Sequence, residues 1–520
     1  MFGKLLFSGF LFFSLAVISV NAQAYKSLQT FSTVLNQVSN NYLDEKKPEE
    51  LVYYAIQGVL KSLDPHSVYL PPNQLTKYTK ITAGELLGFG LSLARIEGDF
   101  VVLRVFEESP ASKAGIHSGD ILRKVDSTVI KDTLSITEVF LMLYGEEGST
   151  SELTFFRPNT GKQIIKVLTR DKYVNSAISH AMMLSGGTFY IRLTEFDINA
   201  AEDFYKYISR LNEDITKKIV IDLRDNPGGL MHTCENAADI FLDKGDTIYT
   251  SSGRKKEMES VGVSEHKPKT DLPIIVLVNR NSASASEMFA GSLQDNNRAL
   301  VIGTNTFGKG LIQVPFPLDN GGGLVMTVGR YVTPSGRIIQ KDYKHSTLKE
   351  YYDIVNKVDS TNFKSGKVYR AKHGRKIYGG GGGELEEVGG IFPDIFVEND
   401  KISDVEIYED SLNTYAINFI KQYFSKYAGS KEKFDKLSTF RDEFFITETL
   451  YNEIMSDLTV NDPQREILPY NKALSVYLKA EMAKQIWDDE AALLVRRVYD
   501  NQLNYALKMT PDEINQILGR

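Results

Sequence analysis

One cysteine in 520 residues, Cys234, leaves no partner for an intramolecular disulfide. Its simplest role is that of a small apolar packing residue. The seven histidines are scattered, with no ligand-like spacing and no His-Glu-x-x-His run, so no metal site is read from them. No Gly-x-Ser-Gly turn occurs, which argues against a trypsin-like Ser-His-Asp nucleophile. Positive charge is not in excess. The formal net charge is −7, which argues against a general nucleic-acid binder and leaves at most a local basic patch. After residue 20 no stretch is apolar enough to span a bilayer, and no internal repeat is visible. What remains has the composition of an ordinary globular protein, 42% hydrophobic and 24% charged. The length suits two to four domains.

The N-terminus differs from the rest. Lys4 precedes an apolar run from Leu5 to Val20, and Val20-Asn21-Ala22 offers small residues for cleavage, with Ala22-Gln23-Ala24 as a close alternative. This is a signal-peptide pattern over 1–22 and predicts a periplasmic mature chain beginning near Gln23. The alternative is a retained inner-membrane anchor over residues 5–20, a run short for a spanning helix. No cysteine lies near the site, which excludes a lipoprotein.

Residues 25–83 read as helical: Phe31, Val34, Leu35 and Val38 follow helix spacing, and a second pattern runs from Leu51 to Leu63. Leu63-Asp64-Pro65-His66-Ser67 breaks it, with His66 read as structural rather than catalytic. From 84 to 170 short β-like runs (Gly90–Ala94, Phe100–Val105, Ile121–Val125, Glu152–Phe156, Gln163–Thr169) surround a helix over Ile136–Leu143. From 186 to 340 strands and helices alternate, which predicts an α/β layered core. Strands are expected at Thr188–Leu193, Lys218–Leu223, Ile274–Val278 and Ala299–Ile302, with helices over Ala200–Leu211, over Glu235–Leu242 and from Ser284. After residue 403 helical patterns return, with one stripe of Leu412, Ala416, Phe419, Ile420 and Tyr423 and another over 469–508. This extension is read as packing or oligomerisation surface.

The stretch Asn279–Gln313 carries the chemistry. An apolar strand leads into Ser282-Ala283-Ser284-Ala285-Ser286-Glu287, which opens a helix, and a second strand leads into Phe307-Gly308-Lys309-Gly310. Small hydroxyls beside the free N–H groups of a helix start suit a nucleophile whose product is an oxyanion. A lysine desolvated among apolar neighbours can serve as a base near neutral pH. Two plain readings stand beside this one: Ser284-x-x-Glu287 fits a capping box, and Phe-Gly-Lys-Gly fits a tight turn. Asp222-Leu223-Arg224-Asp225-Asn226-Pro227-Gly228-Gly229 is a turn between strand and helix whose amides could also donate to an oxyanion.

Taken together and in order, these segments resemble the active-site region of the carboxyl-terminal processing (tail-specific) proteases. The resemblance covers about residues 25–400. It implies Ser284 as nucleophile, Lys309 as base and Gln313 as third active-site residue. If 309–313 is a strand, Lys309, Leu311 and Gln313 share a face, so the Gln313 amide could orient the lysine. It also implies oxyanion donors at Gly229, with Gly228 adjacent, and at Ala285. The Pro110-Ala111…Ala114-Gly115-Ile116…Gly119-Asp120-Ile121-Leu122 string resembles a PDZ domain. That puts Gly88-Phe89-Gly90-Leu91 where such domains hold a substrate's terminal carboxylate.

The implied fold is mixed α/β. A signal peptide (1–22) and an N-terminal helical region (25–83) precede a PDZ domain (84–170). A layered, crotonase/Clp-like protease core (171–400) and a C-terminal helical extension (401–520) follow. The family pattern continues through Thr333-Pro334-Ser335-Gly336-Arg337 and resumes only at Gly390-Ile391-Phe392-Pro393-Asp394. Residues 341–389, with five glycines from Gly379 to Gly383, therefore read as a flexible insertion dispensable for the chemistry. The implied reaction is cofactor-free peptide hydrolysis through an acyl-enzyme on proteins with accessible apolar C-termini. A homo-oligomer or an adaptor protein is left open. The competing classes are a trypsin-like PDZ protease and a PDZ-bearing periplasmic adaptor with an inactive core. The fallback bases would be His66 or His232.

Overall fold

A computed structural model describes residues 25–520 apart from 83–86, 97–98, 107–108, 117–119, 132, 158–161, 174–176, 345–347, 354–356, 381–384, 386, 399–435, 462–469, 471 and 488. The expected signal segment 1–22 and the stripe Leu412–Tyr423 lie outside the described residues. Among the described residues no helix is long and apolar enough to cross a membrane.

The chain divides into two units at Tyr69. The first holds a helix over 25–41 and a second over Pro48–Lys61, with proline at its start where a missing N–H costs nothing. Asp64 then makes the Asp-Pro-His turn. Its Oδ1 accepts the N–H groups of His66 and Ser67, both at 2.8 Å, and its Oδ2 the Ser67 hydroxyl at 2.6 Å. The segment is a side-chain-capped turn, in keeping with a structural His66.

At the centre of the second unit lies a six-stranded sheet in the order Ile178–Leu184, Thr188–Leu193, Lys218–Asp222, Ile274–Val278, Ala299–Gly303, Ile395–Phe396. The first pair is antiparallel and the rest are parallel. The strands Lys218–Asp222, Ile274–Val278 and Ala299–Gly303 are buried at every position, the mark of a sheet covered on both faces. Alternation along the strands sorts their side chains. Ile219, Ile221, Ile274, Val276 and Val301 face the helices Ala200–Ile208, Met231–Asp239 and Ala285–Asp295, packing on Phe204, Phe241 and Phe289. Val220, Ile275, Leu277, Leu300 and Ile302 face the other way, against Leu503, Ala506, Met509, Ile514 and Leu518. The end of the helical extension is thus a layer of the core. Lys218, 2% exposed, fixes it by donating to the carbonyls of Ala506 at 2.8 Å, Leu507 at 2.9 Å and Met509, at the C-terminus of helix Asn501–Lys508.

Beside the core an antiparallel sheet is built on Gly323–Val332, flanked by Leu311–Pro317 and by Thr247–Gly253, which pairs on with Ser260–Val263. Between residues 87 and 172 a separate sheet of Leu91–Ile96, Asp99–Val105, Ile121–Val125, Thr150–Arg157 and Lys162–Thr169 closes on helix Ile136–Leu143. Ser135 and Glu138 form the capping box of that helix. Phe89 is 1% exposed in its core, with the Arg170 guanidinium 4.6 Å from the ring centroid.

The insertion is not the loose polar loop expected of it. Val358, Leu385 and Val388 form a buried cluster with Phe392, just past the insertion, and Lys367–Arg370 pairs with Lys376–Gly379. Arg375 donates to the Gln294 carbonyl at 2.7 Å and to Asn297 Oδ1 at 2.6 Å, and it pairs with Asp394. Glycine and charge masked a small core whose apolar residues are too sparse to show a period.

Candidate active site

Strand Ile274–Val278 ends in a turn pinned by side chains. Asn279 Oδ1 accepts the Asp225 N–H at 3.0 Å, and Asn279 Nδ2 donates to Asp225 Oδ1 at 2.7 Å. The three serines that follow have different fates. Ser282 is fully buried, donates to the Leu223 carbonyl at 2.8 Å and accepts the Asn279 N–H at 3.0 Å. Ser286 is fully buried and donates to the Asn226 carbonyl at 3.0 Å. Ser284 between them is partly exposed, at φ 55°, ψ −115°. A residue with a side chain held there costs about 1–3 kcal/mol, and such strain clusters at functional sites.

Glu287 holds that conformation. Its Oε2 accepts the N–H of Ser284 and the N–H of Lys309, both at 2.8 Å, and its Oε1 accepts the Thr306 hydroxyl and the Gly308 N–H, both at 2.6 Å. Two backbone nitrogens bonded to one oxygen are no farther apart than twice 2.8 Å, so residues 284 and 309 are drawn to one place. The carboxyl is 0% exposed; burial pushes its pKa up to about 7, against the pull of those four donors. The capping-box spacing signalled this residue in the sequence, but that reading stopped at the helix. Its reach to the second segment, 22 residues on, could not be seen.

Lys309 is partly buried, and desolvation pushes its amine below the ordinary lysine value, with Glu287 opposing. It precedes strand Leu311–Pro317 rather than belonging to it, so the expected shared strand face of Lys309 and Gln313 does not hold. Gln313 lies in that strand with its Nε2 buried and unbonded among the described residues. No hydrogen bond joins it to the Lys309 amine among the described residues.

The turn Asp225–Gly229 packs against the same helix start. A β-carbon on Gly228, at φ +102°, would lie 2.8 Å from the Ala285 nitrogen and from Ser284 Cβ, so only glycine fits. Gly228 donates its N–H to Asn226 Oδ1 at 2.9 Å. Gly229, exposed at φ +142°, is the neighbour whose N–H no described contact takes up. Ala285 is the first residue of helix Ala285–Asp295, where N–H groups have no intrahelical partner. Behind the turn Arg224 forks onto Asp222 at 2.9 and 2.6 Å and onto Asp500 at 2.8 and 2.7 Å, a brace not anticipated from sequence. Cys234 is fully buried beneath, its thiol 3.2 Å from the Ala285 carbonyl, and burial raises its pKa; it is the packing residue expected. His232 is exposed on helix Met231–Asp239.

At the other candidate site, Gly88-Phe89-Gly90-Leu91, two carbonyls are taken up by the domain's own backbone. Phe89 accepts from the Ala111 N–H at 2.9 Å and Gly90 from the Phe106 N–H at 3.0 Å. Gly90, at φ +72°, leaves no room for a side chain because Ser109 Cβ would be 2.2 Å away.

The family model described as Peptidase family S41 matches residues 187–346, and the PDZ domain model matches residues 87–167. A carboxy-terminal-processing protease of Bartonella bacilliformis is 34% identical over 320 residues, 61% of this chain and 73% of its own. A carboxyl-terminal-processing protease of Picosynechococcus sp. is 36% identical over 303 residues, 57% of this chain and 72% of its own. Among solved structures, the photosystem II D1 C-terminal processing protease is similar at 30% identity and a TM-score of 0.46, over 60% of this chain and 89% of that one.

Proposed function

The chain belongs to the carboxy-terminal-processing proteases of peptidase family S41, and from that footing we propose that it is a serine endopeptidase with a Ser284–Lys309 dyad. The observation that carries the reading is the single Glu287 oxygen that binds the backbone of both residues. Neutral Lys309 Nζ takes the proton of Ser284 Oγ as that oxygen attacks the scissile carbonyl carbon. The carbonyl oxygen becomes an oxyanion, received by the N–H groups of Gly229 and Ala285. As the C–N bond breaks, the lysine ammonium passes its proton to the leaving amine nitrogen. Water then adds to the acyl carbon with Lys309 taking its proton, and as the ester bond to Ser284 breaks the lysine ammonium returns that proton to Ser284 Oγ, which releases the carboxyl product and restores the neutral amine. Gln313, whose amide nitrogen has no described partner, is assigned to orient the lysine amine.

The substrates on this reading are proteins with an accessible apolar C-terminus, captured by the N–H groups of Gly88–Leu91 in the PDZ domain. Residues 1–22 are proposed to be removed on export to the periplasm. N-terminal sequencing should find Gln23 or a near neighbour first, and Met1 retained in a membrane fraction would mean an anchor instead.

The deciding experiment is turnover of a tailed protein substrate. Ser284→Ala and Lys309→Ala should each abolish cleavage and leave tail binding intact. Lys309→Arg should also be inactive, because arginine keeps its proton. Near-normal cleavage by Lys309→Ala would sink the dyad.

A further inference from the structure

Lys309 sits between two glycines, Gly308 at φ +89° and Gly310, a segment with little intrinsic stiffness. Glu287 holds one side of it through the N–H groups of Gly308 and Lys309. Its other side is held by the first residue of the insertion and the residue just before it. The Lys341 N–H donates to the Gly308 carbonyl at 3.0 Å, and the Gly310 N–H donates to Gln340 Oε1 at 2.9 Å. Gln340 Nε2 in turn donates to the Tyr351 hydroxyl at 3.3 Å. Tyr351 lies in helix Leu348–Asp353 of the insertion and is 1% exposed. Its ring meets Phe307, two residues before Lys309, edge-on at 6.0 Å. The Lys341 ammonium, on a residue 2% exposed, lies 3.6 Å from the Phe307 centroid and 4.4 Å from that of Tyr351. A cation desolvated between two aromatic faces binds them strongly.

We propose that the insertion is a brace on the Lys309 loop, with Tyr351 as a positioning residue for that lysine. Tyr351 touches all three groups that fix the loop from this side: Gln340, Phe307 and Lys341. The brace is itself anchored. Arg375 of the insertion bonds the Gln294 carbonyl near the end of the helix that Ser284 begins, so one subdomain grips both catalytic segments. Among the described residues, the titratable groups around the loop include Glu287 from that helix, Lys341, and Tyr351 and Tyr352 from the insertion. Removing the Tyr351 ring frees the loop toward water, and a better-solvated amine returns toward its ordinary, higher pKa.

This inference rests on Lys309 being the base, so the test carries a control for that. Full-length wild type, Tyr351→Phe, Tyr351→Leu, Tyr351→Ala and Lys309→Ala are compared for kcat and KM against pH on one tailed substrate, with thermal melts alongside. Tyr351→Leu and Tyr351→Ala should lower kcat by about tenfold or more, with KM changed less than about twofold, as expected of a misplaced catalytic group. The rising limb of kcat should move to higher pH. Tyr351→Phe, which keeps the ring, should restore both. Should Tyr351→Ala not fold, the bulkier Tyr351→Leu decides. A limb that stays in place in folded Tyr351→Leu, with Lys309→Ala inactive, overturns the brace and spares the dyad. Turnover by Lys309→Ala overturns both.

Discussion

At the scale of single residues, the three serines of the run stand in different surroundings. Ser282 and Ser286 are fully buried and bonded to backbone carbonyls, whereas Ser284 is partly exposed on strained backbone. Ser282→Ala should therefore lower stability by roughly 1–3 kcal/mol, because the Leu223 carbonyl and Asn279 N–H lose a buried partner, and leave turnover per folded molecule nearly intact. Melting curves with active-site titration check this; an inactive but folded Ser282→Ala would reassign the nucleophile. Glu287 is less forgiving. Each of its oxygens accepts from two donors, so in Glu287→Gln either orientation of the amide sets an NH2 group against donors. Turnover should fall by on the order of a hundredfold. The wild-type carboxyl also leaves a signature in stability. The native state holds its proton more tightly than the unfolded chain does, with a pKa of about 7 against 4.5. That preference favours folding below pH 4.5 and is lost as the pH rises through about 7. Turnover should run the other way, rising with pH as Lys309 loses its proton below the ordinary value of 10.5. Thermal melts of wild type and Glu287→Gln over this range should differ in slope, and equal slopes would count against the assignment.

Among the elements, those whose own residues determine them were legible. Thr188–Leu193, Ile274–Val278, Ile121–Val125 and Ile136–Leu143 fall where their apolar runs predict. The helix after Gly229 begins at Met231, four residues before the predicted Glu235, because its start is set by contact of the turn with Phe196 rather than by a capping residue. Strands such as Ile178–Leu184 and Gly323–Val332 were missed, since their half-exposed faces carry mixed side chains. Of the candidate site, Ser284, Lys309 and the glycine turn could be singled out through resemblance and local chemistry, and the structure brings their segments together. The bonds from Glu287 to residue 309, from Tyr351 to Gln340 and from Asp500 to Arg224 join distant segments and leave no local period. The PDZ element permits a test of its own. Full-length Ser284→Ala should bind a peptide ending in apolar residues more tightly than the same peptide amidated at its C-terminus, which loses its charge and an acceptor. Equal affinities by calorimetry would remove carboxylate capture from the proposal.

For the molecule as a whole, the decisive feature is the second covering of the central sheet. Leu503, Ala506, Ile514 and Leu518 lie on Val220, Ile275, Leu277 and Leu300, and each large side chain so buried contributes roughly 1.5–3 kcal/mol. A chain cut after Tyr499 should lose solubility and turnover together, even though Ser284, Lys309 and Glu287 remain. A soluble, active product of that truncation, seen by fractionation and peptide cleavage, would contradict this view of the extension. The arrangement also sets a clock. Lys218 meets Ala506 across 288 positions, and Arg224 meets Asp500 across 276. The turn beside Ser284 is therefore braced by residues that leave the ribosome long after it. Until they arrive, one side of the sheet is bare and the Asp225–Gly229 turn has no brace. A nascent chain is therefore expected to gain activity only once that late segment has been made, and ribosome-bound chains halted before residue 500 should leave a peptide substrate uncut.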